Sequence, residues 1–461
     1  MEELKALPDG WGLISVEEIG CLLRGVSYKK EHSSNEQLTD YLPVLRANNI
    51  NGDLNFDNLV FVHKKYVDDG QLLKKGDIIF AMSSGSKHLV GKSAKVKNDY
   101  NGAYGAFCAM FRPDEEINKD LIAYFFQAPE YKKLISSISK GTNINNLKRE
   151  HILDLRFPLP PLPEQHRIVA KIEELFSSLD KGIESLKTAQ AQLKTYRQAV
   201  LKWAFEGKLT NENVKEGELP EGWKLIKISE ISSVVRGGSP RPAGDPRFYN
   251  GDIPFLKVAD LTKNNGVYLT QYEYTIKEAG LHKTRKIEPD TLLLTNSGAT
   301  LGVPKICKIS ATMNDGVAAF LNLDKRSSLY LYYFWLSKTK ELRTINQGAA
   351  QPNLNTEIIK NYEVPYCSFP EQHRIVSEIE TRLSVCDKLE ESITQSLLKA
   401  ESLRQSILKK AFEGRLAPQD PNDEPASILL ERIRAERESM LAKNATVANG
   451  KKGTARKGRQ K

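Results

Sequence analysis

The chain has 461 residues, 40% apolar and 27% charged, with 30 glycines and 21 prolines. That composition excludes collagen-like, wholly disordered and coiled-coil-only proteins and leaves room for about three domains of ~150 residues. The net charge of +9 comes mostly from residues 442–461, where seven basic residues stand without an acid and leave only +2 for the remainder. That end reads as a disordered basic tail, so a nucleic-acid role has to rest on something better than charge.

The start of the chain, with Glu2, Glu3 and Lys5, lacks the pattern of an export signal, and no apolar run reaches the ~18 residues of a membrane span. The expected location is the cytoplasm, with no membrane partner. Residues 1–158 carry short β-type runs, LPVLR at 42–46, LVFV at 59–62 and DIIFAM at 77–82, divided by Gly and Asn turns, and then an amphipathic stretch at 119–138. This predicts a mixed α/β (α+β) globule. Tyr124, Phe125 and Phe126 sit at helical spacing and are expected to dock on the sheet rather than to stack on bases.

PLPPLP at 158–163 opposes a helix, whereas residues 164–205 contain no proline and follow a heptad. Ile172, Leu175, Leu179, Gly182, Leu186, Ala189, Leu193, Tyr196, Val200 and Trp203 alternate steps of three and four, the seam of a coiled coil. The helix over 164–205, within the helical region 159–208, would be about 60 Å long and stop at Gly207. Residues 209–365 repeat the ingredients of the first globule, including IPFLKVADL at 253–261, TLLLTNSG at 291–298 and a helical stretch at 329–345 whose Tyr332, Tyr333, Phe334 and Trp335 again suit docking. Residues 366–416 form a second long helical region with Ile379, Cys386, Leu389, Ile393, Ser396, Ala400, Leu403 and Ile407 on its seam, weakened by Arg382 and Lys410. A helical extension at 417–441 precedes the tail.

The chain therefore occurs twice. LPDGW at 7–11 returns as LPEGW at 219–223, PEQHRIV at 163–169 as PEQHRIV at 370–376, and AFEGK at 204–208 as AFEGR at 411–415. His166 and His373, like Phe205 and Phe412, are 207 residues apart, so the helix between them is copied without a gap. A unit of ~200 residues means two tandem copies of a domain with its appendage, not a solenoid. Because a globule lies between the two helices, the first can lead out and the second return. The expected architecture is two globular domains joined by two long antiparallel coiled-coil helices, a pseudo-two-fold internal repeat.

Catalytic motifs are missing. GSKHLVGKS at 85–93 has one residue too many between its glycines for a phosphate loop, and its counterpart SGATLGVPK lacks the Lys-Ser pair. There is no G-x-G-x-x-G after a strand, no D/N-P-P-Y/F and no H-E-x-x-H. The five cysteines, Cys21, Cys108, Cys307, Cys367 and Cys386, form no C-x-x-C pair, so no catalytic or metal site is expected. His166 and His373, at a helix start, read as a capping and interface cluster.

The loops, by contrast, hold side chains suited to base edges and phosphates. In the first copy these are Arg46, Asn48 and Asn49, then Lys87, His88 and Lys92, then Asn143, Asn145 and Lys148. In the second they are Arg236, Arg241 and Arg247, then Lys257 and Asp260, then Asn296 and Thr300, then Gln347, Gln351 and Asn353. Corresponding positions with different identities fit two modules reading different words.

The PLPPLPEQHRIVAKIEELFSSLDKGIESLK and RQAVLKWAFEGKL segments, their second copies, and PQDPNDEPASILLERIRAERE resemble the specificity subunit of a type I restriction-modification system. The resemblance implies a non-catalytic subunit whose two target-recognition domains each read one half of a bipartite double-stranded DNA target, with the helices setting the spacer. It further implies two methyltransferase subunits docked on the helical regions, giving adenine methylation, and endonuclease/translocase subunits that cleave unmethylated DNA. No cofactor would be bound by this chain; S-adenosylmethionine, ATP and Mg would belong to the partner subunits. Two other readings stay open, the specificity component of another multi-subunit restriction system and a coiled-coil assembly scaffold without DNA binding.

Overall fold

The computed structural model describes residues 7–84, 89–141, 146–211, 213–263, 265–298, 300–345 and 354–439. The chain divides into two units: one holds the described residues up to Glu184 and those from Leu397 onward, and the other spans Ser185–Ser396.

In the first unit Gly12–Ser15 pairs antiparallel with Arg156–Leu159. One sheet runs Gly20–Arg24, Cys108–Pro113, Ile78–Ala81, Ser93–Lys95, and another runs Ser33–Ser34, Val60–His63, Tyr41–Leu45, Ala103–Tyr104, its last pair parallel. The second unit repeats the plan. Lys224–Lys227 pairs with Glu363–Tyr366; one sheet runs Ser233–Arg236, Val317–Leu321, Thr291–Thr295, Pro304–Cys307, Tyr268–Leu269, and the other Tyr274–Ile276, Tyr249–Leu256, Ala311–Met313, Arg285–Ile287.

The apolar runs DIIFAM and TLLLT are central strands buried on both faces. Their two-residue period sends Ile78 and Phe80, or Leu292 and Leu294, into a core shared with helices, and Ile79, or Leu293, into a second core on the opposite face. The amphipathic stretch at 119–138 folds as two helices, Lys119–Phe125 and Pro129–Gly141. Pro129 lacks an amide hydrogen and disfavours helical geometry at Ala128, so it begins a helix rather than continuing one. Phe125, Phe126, Tyr332, Tyr333, Phe334 and Trp335 are buried in the helix-side cores, which removes them as stacking platforms.

The long helices are Leu162–Phe205 and Phe369–Phe412, each of 44 residues. The first begins two residues before the expected start, because Pro163 is tolerated in a first turn whose amide hydrogens have no partner anyway. The division between units falls inside both helices. Within the second unit Arg197 reaches Asp387 and Glu390, while Val200, Leu201, Ala204 and Phe205 share a core with Ile375, Val376 and Ile379. Within the first, Arg404 pairs with Asp180, while Ile172 and Phe176 share a core with Ile407, Leu408 and Ala411. In both units rising numbers on one helix meet falling numbers on the other, which makes the pairing antiparallel.

The seam differs from the expected one. On the second helix Ile379, Cys386, Ile393, Ala400 and Ile407, seven residues apart, are all buried. Leu389 and Leu403 are 48% and 51% exposed and do not belong to the interface. On the first, Ile172 and Val200 are buried and Leu179, Leu186 and Leu193 half-buried, while Tyr196 and Trp203 are exposed. Leu175 is half-buried against the first unit's core. For most of the length the second row lies four residues beyond the first, with Phe176, Ile183, Arg197 and Ala204 on one helix and Leu383, Leu397, Arg404 and Ala411 on the other, but Gln190 and Glu390 in that row are exposed, and Ala189 and Ser396 of the expected row are half-buried. Arginines in that row form cross-helix ion pairs, which the charged Arg382 and Lys410 in the expected row do not.

Beyond Gly414 the chain returns to the N-terminal strands. Ala426 N donates to Gly10 O at 2.9 Å, Leu429 and Ile433 enter the first unit's core, and Arg434 and Arg437 pair with Glu18 and Asp114 at 2.5 and 2.8 Å. Residues 426–439 are helical; the basic tail lies outside the described residues.

Candidate nucleic-acid interface

In the first unit the main sheet ends in a cleft of about 530 Å³ lined by Arg24, Ser83, Phe107, Asn146 and Arg149. Arg24 closes the strand Gly20–Arg24, Phe107 precedes Cys108–Pro113, and Ser83 follows Ile78–Ala81 and bridges to Asn146. The residue after Arg24 has to be glycine, since any Cβ at Gly25 would collide with the backbone of Tyr104 and Gly105. The second unit repeats the step: Arg236 precedes Gly237, whose missing Cβ makes room for the backbone of Met313 and Asn314. Arg24 pairs in register with Ala109 and Arg236 with Ala318, so the two arginines occupy one position of the plan.

Their surroundings differ. Arg236 Nε donates to Asp315 O at 2.6 Å, Ser239 Oγ donates to Asp315 Oδ1 at 2.7 Å, and Arg241 lies 3.8 Å from Asp315 Oδ2. The Ser239 hydroxyl, against the cost of partial burial and with Arg236 and Arg241 nearby, holds the Asp315 carboxyl below the ordinary carboxylate range. Gly316 stands where the first unit has Phe107, immediately before the strand Val317–Leu321.

Several residues expected at base edges are structural. Asn49 is 1% exposed; its Oδ1 accepts from Arg46 N and its Nδ2 donates to Asn55 O and Asp57 O, each at 2.9 Å. Asp260 does the same work in the second copy, accepting from Lys257 N at 2.7 Å and Glu273 N at 3.0 Å. Both staple the loop after the repeated LPVLR and IPFLK strands and are buried, at 1% and 5% exposure, away from any base. Asn296 is fully buried: its backbone N–H donates to Gly316 O and its backbone carbonyl accepts from Leu354 N, while its side-chain amide has no hydrogen-bond partner among the described residues. Arg247 is neutralised locally by Asp245, whose carboxyl its hydrogen bonds pull down to about 2.

Others stay accessible. Asn48 and Lys148 are exposed, and Thr300 is half-buried. Arg46 donates to Asn58 O at 2.8 Å, Lys92 reaches Asn51 Oδ1 at 2.6 Å and belongs with the 47–53 loop rather than the cleft, and Lys257 lies 3.2 Å above the Tyr274 ring. Lys87, His88, Asn143, Asn145, Gln347, Gln351 and Asn353 lie outside the described residues. Arg24, Phe107 and Arg149 were not anticipated; the repeated Arg-Gly of LLRG and VVRG was the available signal for the first.

The PEQHRIV segments are structural in both copies. Gln165 Nε2 donates to Pro160 O and Gln372 Nε2 to Cys367 O, each at 2.9 Å, while His166 and His373 are exposed. Among the described residues no cluster of His, Cys, Asp and Glu could hold a metal ion, and no helix is long and apolar enough to cross a membrane.

Residues 8–195 and 220–399 match the family model described as type I restriction modification DNA specificity domain. The chain is 31% identical to the type I restriction enzyme StySPI specificity subunit of Salmonella potsdam, covering 98% of this chain and 99% of that one. It is 31% identical to the EcoKI specificity subunit of Escherichia coli K12, covering 95% and 98%. Among solved structures, a chain from work on complex assembly and conformational transition of the type I R-M system superposes with a TM-score of 0.69 at 21% identity over 89% of this chain and all of that one. The HsdS subunit from Thermoanaerobacter tengcongensis does so at 0.58 and 20% identity, over 90% of this chain and all of that one.

Proposed function

Since the chain belongs to the type I restriction modification DNA specificity family, we propose that it is the non-catalytic subunit through which a restriction-modification complex reads a bipartite DNA sequence, one unit per half-site. The observation that carries this reading is one strand plan used twice with the repeated arginine set among different neighbours: Phe107, Asn146 and Arg149 beside Arg24, and Ser239, Arg241 and Asp315 beside Arg236. A constant scaffold with altered contact residues is what two half-words of different sequence require.

The long helices set the unread spacer and dock two methyltransferase subunits. The exposed Tyr196, Trp203 and Leu389 of the second unit and Leu403 of the first support this, being apolar side chains that the helices leave uncovered. S-adenosylmethionine would then be bound by the methyltransferase subunits, and ATP and Mg by endonuclease/translocase subunits.

The test is to map methylated adenines across the host genome with this chain intact and with residues 219–365 exchanged for the corresponding domain of a relative. One half of a bipartite word is expected to change while the other stays. Changes in both halves, or no dependence of methylation on this chain, would refute the reading.

A further inference from the structure

Phe107 is 69% exposed, yet it is not on a loose loop. Its carbonyl accepts from Met82 N at 2.9 Å and Ser83 N at 3.1 Å, and Cys108 N closes the turn onto Gly105 O at 2.8 Å. The backbone is therefore fixed while the ring is presented to solvent, in a cleft lined by two arginines and an asparagine and, among the described residues, by no carboxylate. The second unit has Gly316 at this place, so the fold does not need a ring there.

Arginine and asparagine are the side chains that match guanine O6/N7 and adenine N6/N7 in the major groove, and the one apolar group on that edge is the 5-methyl of thymine. We propose that Phe107 is a specificity-determining residue of the first unit, its ring packing against the methyl group of a thymine in the half-site that unit reads. The inference rests on the DNA-reading function above and adds to it a residue, a base and a contact.

The experiment selects bound duplexes from a randomised library with the full chain assembled with its modification subunits, as wild type, Phe107→Ala and Phe107→Leu. The wild type is expected to yield a bipartite word. The alanine variant should lose its preference for thymine at one position of one half and keep the other half, which also reports that the chain has folded; leucine should retain part of the preference. Uracil in place of that thymine should weaken the wild type by roughly tenfold and leave the alanine variant nearly unchanged.

An unchanged word with Phe107→Ala would overturn the inference and leave the DNA reading standing. A wild-type complex that selects no word would overturn the DNA reading itself. A weakened variant with a wild type indifferent to uracil would mean the ring wedges between base steps, which overturns the methyl contact.

Discussion

Arg404 pairs with Asp180, and Arg197 pairs with Asp387, so the same cross-helix bond is made twice with the roles of the two helices exchanged. Each arginine stands 207 residues from the other, as does each aspartate. Arg404 also stacks 4.3 Å from the Phe176 ring centroid, so its loss costs packing as well as charge. Arg404→Glu is expected to lower stability by about 1 kcal/mol, and adding Asp180→Arg to recover most of it. Urea midpoints of the four proteins of that cycle check the coupling; purely additive effects would show that the bond contributes nothing.

Gly414 sits at φ +68 against Pro8, and Gly207 at φ +76 against Pro220. A Cβ at either glycine would combine left-handed strain with a clash against the proline ring. Gly414→Ala is expected to cost about 2 kcal/mol or more and to loosen residues 426–439, whose docking on Gly10 and Glu18 depends on the turn. Hydrogen exchange should show faster exchange in that helix and in Gly12–Ser15, with the second unit unaffected. Gly207→Ala should shift the effect to Lys224–Lys227.

The duplication, the main β-type runs and both helices were legible because they rest on periodicity and copied anchors that backbone geometry enforces, whereas the order of the strands was not. The site was less so. Asn49 and Asp260 have the chemistry of base readers, but their position three residues beyond the first residue after a strand lets the side chain close back on that residue's amide, and a single sequence does not separate the two uses. Two positions of the second helix's seam were misplaced, because Leu389 and Leu403 satisfy the heptad as well as the buried residues do. What decides between rows is which side Arg197 and Arg404 must face to reach Asp387 and Asp180. Phe107 carries no pattern at all; only its fixed, uncovered position marks it.

That correction separates stability from assembly. Ile379→Ala, in the buried row, is expected to destabilise the chain by about 2–5 kcal/mol. Leu389→Gln and Leu403→Gln, in the exposed row, should shift it by less than ~0.5 kcal/mol while weakening recovery of modification subunits on the purified chain. Thermal melts and co-purification together check the assignment. A large loss of stability from the leucine substitutions would return those residues to the seam.

Glu164 is 2% exposed, and its Oε2 accepts from Trp11 Nε1 at 2.9 Å. Burial pushes its carboxyl above the ordinary range despite the Trp11 bond and nearby Arg167. The folded state thus holds this proton more tightly than the unfolded chain, and the ionised group costs stability as pH rises through its folded pKa. Glu164→Gln keeps an acceptor for Trp11 without the charge. It is expected to melt above the wild type at neutral pH, with the advantage shrinking as pH falls toward and below the ordinary glutamate value of about 4.3. Melting curves from pH 4 to 8 check the sign, and an advantage that grew on acidification would be contrary to it.

Because the two long helices pair antiparallel, lengthening one alone would leave seven residues without partners. Seven residues inserted after Gln190 only are expected to lower stability. Matched insertions after Gln190 and in the second helix near Glu391 should restore the seam, since seven residues return both buried rows to the same face. With the helices setting the spacer, the matched protein gains ~10 Å, about three base pairs at 3.4 Å each, and should methylate targets with a longer unread gap and unchanged half-words. Sequencing of methylated sites reads the outcome directly. Altered half-words, or an unchanged gap in a protein that folds and assembles, would mean that something other than helix length sets the spacing.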